Sequence, residues 1–186
     1  SKLRLRMSPP AARQLEIGSG PVHRPEWVTV DMCLGADVYW DLSQPLPFAD
    51  ASFDLAYCSH VLEHFWYPDL QRLLRELHRV LAPSGRLLIS VPDAARYVDV
   101  YAGKRDGADF LRYKPAVISD LRMDALNYIF YMDGHHRFMF DSENLAHHCR
   151  AAGFADCRER PPDANLDPSS RDYESLYMAC TKANHP

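Results

Sequence analysis

The feature that most constrains the fold is an amphipathic helix followed at once by an apolar strand. Leucines and a valine recur at helical spacing over residues 68–82, with arginines on the other faces. Pro68 suits a first helical turn, and Pro83-Ser84-Gly85 is predicted to end the helix. Residues 86–91 then form a near-continuous apolar run, which is typical of a strand covered on both faces. This pair predicts an α/β protein with a mostly parallel sheet.

The rest of the chain continues this alternation. A helix is expected after a cap at Asp141 or Ser142, ending at Gly153, and residues 117–131 also favour a helix. Residues 97–113 are aromatic and charged without a clear period. Further strands are predicted at residues 14–17, 27–31, 36–39, 53–58, 154–160 and 175–181.

Composition limits the class of protein. The 186 residues fit a single domain, 1–186, and the net charge of −4 gives no general attraction to nucleic acid. No apolar run approaches the roughly 20 residues that span a bilayer, and no signal peptide is expected. The 5 cysteines form no CxxC pair, which favours reduced thiols and a cytoplasmic location.

A glycine turn and an acid suggest a nucleotide or nucleoside site. Gly18-Ser19-Gly20 follows the first strand, and Asp31 ends the second. Glycine lets backbone pass close to a ligand because no Cβ intrudes, and a strand-end acid can accept from two ribose hydroxyls. The combination is the nucleoside-binding logic of a Rossmann-like fold.

Several motifs in order resemble the small class I S-adenosylmethionine-dependent methyltransferases. The resemblance runs from residue 14 to 93, and Gly153-Phe154 and the tail from Glu174 are similar to later parts of that family. It rests on Leu15-Glu16-Ile17-Gly18-Ser19-Gly20, Val30-Asp31, Asp41-Leu42, Pro45-Leu46-Pro47-Phe48, Ser52-Phe53-Asp54, Ser59-His60-Val61-Leu62-Glu63-His64 and Leu81-Ala82-Pro83-Ser84-Gly85-Arg86.

The resemblance implies a Rossmann-like sheet with an antiparallel last strand and S-adenosylmethionine as cofactor. The glycine turn would border the methionine moiety above Glu16, and Asp31 would bind the ribose. Asp41 would accept from the adenine amino group, or would instead cap a turn ahead of Ser43. The implied cofactor-binding residues are Glu16, Gly18, Ser19, Gly20, Asp31, Met32, Asp41, Leu42, Ser59 and His60.

The chain departs from the family pattern after the glycine turn. Only the seven residues 21–27 separate Gly20 from Val28, whereas a parallel crossover normally needs about a dozen or more. Two prolines disfavour a helix there, and Val22 stands where a third glycine is expected. The first crossover helix is therefore predicted to be missing or shortened. Residues 94–140, largely unmatched, are expected to be an insertion that covers the methyl acceptor.

Acid and imidazole side chains cluster after the fourth strand. His60, Glu63, His64 and His136 are the candidate catalytic residues, and one imidazole would remove a proton during transfer. Structural support of the loop is an open alternative. A metal bound by Glu63, His64 and either His135 or His136 is another, although the sequence assigns no metal ligand.

The sequence therefore predicts methyl transfer to a small-molecule or saccharide acceptor, with a homodimer as a further expectation. One alternative is a non-catalytic nucleoside- or partner-binding relative of this fold. An NAD(P)-dependent oxidoreductase is disfavoured because His23 replaces the last glycine of G-x-G-x-x-G.

Overall fold

The computed structural model describes residues 13–21, 23–108, 110, 119 and 121–184. A seven-stranded sheet forms its centre, in the order β3-β2-β1-β4-β5-β7-β6. The strands are β1 (Gln14–Ile17), β2 (Trp27–Asp31), β3 (Val38–Tyr39), β4 (Phe53–Ser59), β5 (Leu81–Pro92), β6 (Phe154–Glu159) and β7 (Ser175–Lys182).

The pairing confirms the predicted fold class. The pairs β1–β2, β1–β4, β2–β3 and β4–β5 are all parallel. The last strand, β7, inserts between β5 and β6 and is antiparallel to both. An antiparallel strand needs no crossover helix, so β7 can follow β6 through a loop and fill this gap in the sheet.

The main helices are α1 (Tyr67–Val80), α2 (Ala94–Tyr101), α3 (Arg122–Tyr131) and α4 (Ser142–Ala151). In α1, Pro68 lies in the first turn and the leucines at helical spacing are buried, as predicted. In α4, Asp141 accepts from the backbone N–H of Asn144, whose side chain binds the Asp141 backbone in return. None of the helices in the described part of the chain is long and apolar enough to cross a bilayer.

Some predicted boundaries change. Helix α1 ends at Val80, and β5 begins at Leu81 rather than at residue 86, with a register shift that accommodates residues 82–85. The unperiodic segment after residue 94 begins with α2, whose N-cap is Asp93. The predicted 117–131 helix is observed from Arg122; residues 117, 118 and 120 lie outside the described residues.

One face of the sheet carries the main hydrophobic core. Ile17, Cys58 and Ile89 are register partners on adjacent strands and therefore share this face. They belong to one buried cluster with the leucines of α1 and with Leu145 of α4. Helices α1 and α4 thus cover this face.

The connection from β1 to β2 confirms the predicted loss of the first crossover helix. Residues 18–21 and 23–26 contain no helix, and Val22 lies outside the described residues. The opposite sheet face, which carries Glu16 and its register partner Tyr57, therefore needs another cover. The loop between β6 and β7 supplies it: the Tyr57 hydroxyl donates to the Leu166 carbonyl at 3.0 Å and to Asp167 Oδ1 at 3.0 Å.

Asp167 holds this loop by a buried ion pair. Its carboxylate accepts from Arg160 Nη1 at 2.5 Å and Nη2 at 3.0 Å, and from the Asp163 backbone N–H at 2.6 Å. Burial opposes the charge of Asp167, but the hydrogen bonds from Arg160 and Asp163 outweigh it and hold its pKa below the usual value. Hydrogen bonds and an ion pair therefore hold the loop on the sheet, whereas a crossover helix would pack on it through apolar side chains.

A second, smaller cluster joins α2 and α3. It contains Tyr97, Val100, Ala125 and Ile129, all buried. The Tyr97 hydroxyl donates to Glu174 Oε2 at 2.6 Å, which links this cluster to the end of the β6–β7 loop.

The first prediction concerns the loop that replaces the helix. Asp167→Asn removes one partner of a buried pair and leaves Arg160 with an uncompensated charge, so we expect a loss of about 3–5 kcal/mol in the free energy of unfolding. Urea denaturation measures it. Asp54→Asn is the matched control, because its pair with Arg13 is largely exposed and should leave the midpoint unchanged.

Acid titration gives a second readout of the same pair. The pKa of Asp167 is lower in the folded than in the unfolded chain, so the pair stabilises the fold above about pH 4, the unfolded carboxyl value. This contribution disappears as the pH falls through the lower folded-state pKa. Equal urea midpoints for Asp167→Asn and Asp54→Asn would contradict the assignment of the loop's anchor.

Candidate functional site

The candidate site lies where β1, β2 and β4 end at the same edge of the sheet. Gly18 and Gly20 both have positive φ, at 67° and 61°, a region that L side chains rarely adopt. The Gly18 N–H donates to the Val30 carbonyl at 2.8 Å. A Cβ at Gly18 would lie 2.1 Å from Val61 Cγ2, so only glycine fits there.

Asp31 is joined to the glycine turn. Its Oδ2 accepts from the Gly20 N–H at 2.9 Å, so the carboxylate lies against the turn that follows the neighbouring strand. The predicted proximity of turn and acid is therefore present.

A narrow lobe of about 340 Å³ opens beside Asp31, and we call it the nucleoside lobe. Its walls combine the predicted acids with apolar and aromatic groups. Six predicted cofactor residues border it: Gly18, Asp31, Met32, Asp41, Leu42 and His60. The other lining residues are Trp40, Val61, His64 and Phe65.

Asp41 adopts the capping alternative. Its carboxylate accepts from the Ser43 backbone N–H at 2.8 Å and from the Ser43 hydroxyl at 2.7 Å. These hydrogen bonds from Ser43 hold the pKa of Asp41 below its usual value. Asp41 still borders the nucleoside lobe, and its contact to adenine stays a prediction.

A larger lobe of about 860 Å³ continues from the glycine turn, and we call it the large lobe. Gly18, His60 and His64 border both lobes, so the two meet at the end of β4. Residues 164–168 and 170–171 of the β6–β7 loop and Tyr128 and Ile129 of α3 form its outer wall. The segment 94–140 thus reaches the large lobe through these two residues of α3, and its assignment as an insertion over an acceptor stays a prediction.

Glu16 borders the large lobe together with the glycine turn, and its partner was not foreseen. Arg24 Nε donates to Glu16 Oε2 at 2.9 Å, and this hydrogen bond raises the pKa of Arg24. The guanidinium also lies over the rings of Trp27 and Tyr57. Ser19, also predicted, borders the large lobe.

Ser59 and His60 end β4 and find partners far along the chain. The Ser59 and Ser90 hydroxyls are 2.8 Å apart, and His60 Nε2 is 2.9 Å from the Ser175 hydroxyl. His60 has a φ of 51°, a strained value for a residue with a side chain. Ser90 and Ser175 carried no motif that could have identified them.

Glu63 is completely buried and lies among three imidazoles. His60 Nδ1 is 3.5 Å and His64 Nε2 is 4.0 Å from Glu63 Oε1. The rings of His64 and His136 are 5.0 Å apart in an edge arrangement, and burial lowers the pKa of His136. All four predicted catalytic residues therefore border the large lobe together.

The structure separates the two histidines between which the sequence could not choose. His136 is buried and faces the cluster, whereas His135 is exposed and contributes its carbonyl, which accepts from His64 Nδ1 at 3.0 Å. The short turn Met132–Gly134, with an unusual backbone at Asp133, sets this orientation.

Comparison with known proteins gives a match to a family model over part of the chain, and a fold. A family model described as a methyltransferase domain matches residues 15–89. The malonyl-[acyl-carrier protein] O-methyltransferase 1 of Coxiella burnetii is 40% identical over 62 residues, 33% of this chain and 21% of that protein. Sterol 4-C-methyltransferase strm-1 of Caenorhabditis elegans is 37% identical over 46 residues, 25% of this chain and 13% of that protein. The chain thus spans about a fifth or less of these relatives' length.

Solved structures agree on the fold. The 1,6-didemethyltoxoflavin-N1-methyltransferase of Burkholderia thailandensis, solved with S-adenosylhomocysteine, has a TM-score of 0.55 and 19% identity over 91% of this chain and 70% of that chain. A SAM-dependent methyltransferase from Archaeoglobus fulgidus has a TM-score of 0.55 and 17% identity over 92% and 87%. Residues 15–89 match the methyltransferase-domain model, and the sheet built around them has the Rossmann-like fold of these SAM-dependent methyltransferase structures.

Proposed function

We propose that the chain binds S-adenosylmethionine across the two lobes and transfers its methyl group to a small-molecule acceptor in the large lobe. The observation that carries the proposal is the Gly20–Asp31 hydrogen bond, which joins turn and acid at the mouth of the nucleoside lobe. The methyltransferase-domain match and the neighbour crystallised with S-adenosylhomocysteine support the same cofactor.

The residues present fit this cofactor. A Cβ at Gly20 would meet no atom within 4 Å, so the turn leaves open space where a ligand can approach the backbone. Asp31 offers a carboxylate to the ribose hydroxyls, and the apolar walls of the nucleoside lobe suit the adenine ring. At the other end, Glu16 and Arg24 pair with one another and can exchange that pairing for the ammonium and carboxylate of the methionine moiety.

When bound, the cofactor supplies an electrophilic methyl group on a sulfonium. The chain's part is to position the acceptor and remove its proton. His60 is well placed, because it borders both lobes and its Nδ1, 3.5 Å from Glu63 Oε1, forms no hydrogen bond with that carboxylate. Ser175 fixes the other ring nitrogen.

The acceptor belongs to the size range of a small organic molecule, a saccharide or a lipid-like compound. The large lobe, at about 860 Å³, falls within the range of small-molecule pockets. The relatives named as methyltransferases for malonyl-[acyl-carrier protein] and for sterol support an organic acceptor. The large lobe has polar wall residues, among them Arg171, Tyr173 and Glu174, which favour an acceptor that carries hydroxyl or carboxyl groups.

A cytoplasmic location and a homodimer are part of the proposal. Free thiols at Cys149, Cys157 and Cys180 lie close together, an arrangement that suits a reducing compartment. Met32 and Leu34, beside the nucleoside lobe, are 59% and 89% exposed, and a partner subunit would cover them.

The second candidate is a non-catalytic relative that binds a nucleoside or a partner. The helix-free connection from β1 to β2 favours it, because less of the chain encloses the cofactor edge. Incubation with methyl-labelled cofactor and a panel of thioester acids, saccharides and sterols separates the two. Label transfer to any acceptor supports the enzyme, whereas tight binding of the cofactor with no transfer across the panel favours the relative.

The second prediction is the loss of cofactor binding on removal of the ribose acid. Calorimetric titration should give binding of S-adenosylmethionine and S-adenosylhomocysteine and none of NADH. Each charge-assisted hydrogen bond contributes about 1.5–3 kcal/mol, so Asp31→Ala should weaken binding by roughly 10- to 100-fold for each ribose bond lost.

Asp54→Asn is the control for this titration, because Asp54 lies at the opposite edge of the sheet, at the start of β4. It should bind as the unaltered chain does. An Asp31→Ala protein that keeps full affinity and a native circular dichroism spectrum would show that the ribose binds elsewhere.

The third prediction uses two glycines with the same backbone strain. Gly20 and Gly134 both have positive φ, and a Cβ at either would meet nothing within 4 Å. Only Gly20 borders the large lobe. Alanine at either position should cost similar stability, about 1–2 kcal/mol, whereas only Gly20→Ala should weaken S-adenosylhomocysteine binding, by tenfold or more. Equal affinities of the two variants would remove the glycine turn from the binding site.

A further inference from the structure

The carboxylate of Glu63 is buried without a hydrogen bond. Its side chain is 1% exposed, and neither oxygen has a hydrogen-bond partner among the described residues. The nearby imidazole nitrogens, at 3.5 and 4.0 Å, do not satisfy hydrogen-bond geometry. A buried, unpaired carboxylate is costly, so this side chain requires a cation or a proton.

Two imidazoles near that carboxylate are held by backbone carbonyls through their Nδ1 atoms. The Nδ1 atom of His64 lies 3.0 Å from the His135 carbonyl, and the Nδ1 atom of His136 lies 2.6 Å from the Ile129 carbonyl. A carbonyl can only accept, so both Nδ1 atoms carry the proton and, in the neutral rings, both Nε2 atoms are acceptors. Backbone carbonyls that fix the ring in this way are typical of histidines that bind metals through the other nitrogen.

Three potential metal ligands therefore converge, and His60 Nδ1, 3.5 Å from Glu63 Oε1, does not form a hydrogen bond with this carboxylate. The ligand atoms of Glu63, His64 and His136 all lie within 4.8 Å of one another. We propose that these three side chains bind a divalent transition-metal ion at the inner end of the large lobe. Imidazole and carboxylate ligands in this ratio suit zinc, iron, manganese or cobalt better than magnesium.

The position of the site leaves room for an acceptor group. Three protein ligands leave at least one coordination position open, which is the arrangement of catalytic rather than structural sites. His64 is partly exposed and borders both lobes, so an ion can enter from the cleft. A role of the ion in binding and acidifying an acceptor hydroxyl rests on the proposed function; binding of the ion itself does not.

A second cluster in the described part of the chain provides an internal competitor. Cys149, Cys157 and Cys180 also bring their sulfur atoms within 4.8 Å of one another, and all three are buried in the main core. Unlike the Glu63 cluster, these residues do not border either lobe. The experiment must therefore separate imidazole and carboxylate ligands from thiolates.

The fourth prediction is cobalt binding by the full chain. After treatment with a chelator and removal of the chelator, titration with Co²⁺ should give visible absorption bands that saturate at one ion per chain. Zn²⁺ should displace the cobalt, and Mg²⁺ in excess should not. Glu63→Gln, His64→Gln and His136→Gln should each lower the affinity for Co²⁺ by 10-fold or more.

Two controls keep the result interpretable. His147→Gln alters an exposed histidine of α4 outside both lobes and should bind Co²⁺ as the unaltered chain does. Glu63→Gln removes the unpaired charge, so without metal its thermal midpoint should equal or exceed that of the unaltered chain. Added Zn²⁺ should raise the midpoint of the unaltered chain and not that of Glu63→Gln.

Three results would overturn the proposal: no cobalt binding, unchanged affinity in the Glu63 and His136 variants, or a near-ultraviolet thiolate charge-transfer band that places the ion at the cysteine cluster. The outcome is independent of the cofactor. Cobalt binding with no S-adenosylhomocysteine binding keeps the metal site and rejects the proposed function, and the reverse result rejects only the metal site.

Discussion

The hydrogen bond from the Gly20 amide to Asp31 is the contact on which the cofactor edge depends. It joins the turn after β1 to the end of β2, which no helix connects in the described residues. In a complete Rossmann unit the first helix supplies this connection and presents its N-terminus to the ligand. Here the Asp31 carboxylate holds the turn together with the Val30 carbonyl and is also the group proposed to bind the ribose, so the fold and the proposed ligand share one side chain.

Loss of the helix transfers its covering role to the loop between β6 and β7. This loop is held to the sheet by Asp167 and by the Tyr57 hydroxyl, and the same residues border the large lobe. The hydrogen bonds of Asp167 differ from apolar packing in one respect. They stabilise the loop only while the buried charges of Asp167 and Arg160 are fully paired. Stability of the outer wall and shape of the large lobe are therefore coupled through Asp167.

Sequence predicted the fold and the proximity of the glycine turn to Asp31 because both follow from local rules. Parallel strands end at one edge, so the glycine turn and Asp31 were expected to meet, and the short 21–27 segment predicted a missing or shortened helix. Contacts that depend on irregular backbone could not be predicted from these local rules. The pairing of Glu16 with Arg24 depends on a helix-free loop, and the choice of His136 over His135 depends on the turn at 132–134. For Asp41, the sequence motif left two roles open, binding adenine or capping the turn at Ser43. The structure shows the hydrogen bond to Ser43, which the sequence pattern could not choose over the other role.

The central claim is that one cofactor occupies both lobes, with its nucleoside beside Asp31 and its sulfur where the lobes meet at His60. A crystal structure of the full chain with S-adenosylhomocysteine tests it most directly. The account predicts both ribose hydroxyls on the Asp31 carboxylate, adenine against Leu42, and the sulfur facing the large lobe. Density for the nucleoside in the large lobe, or outside both lobes, would contradict the account.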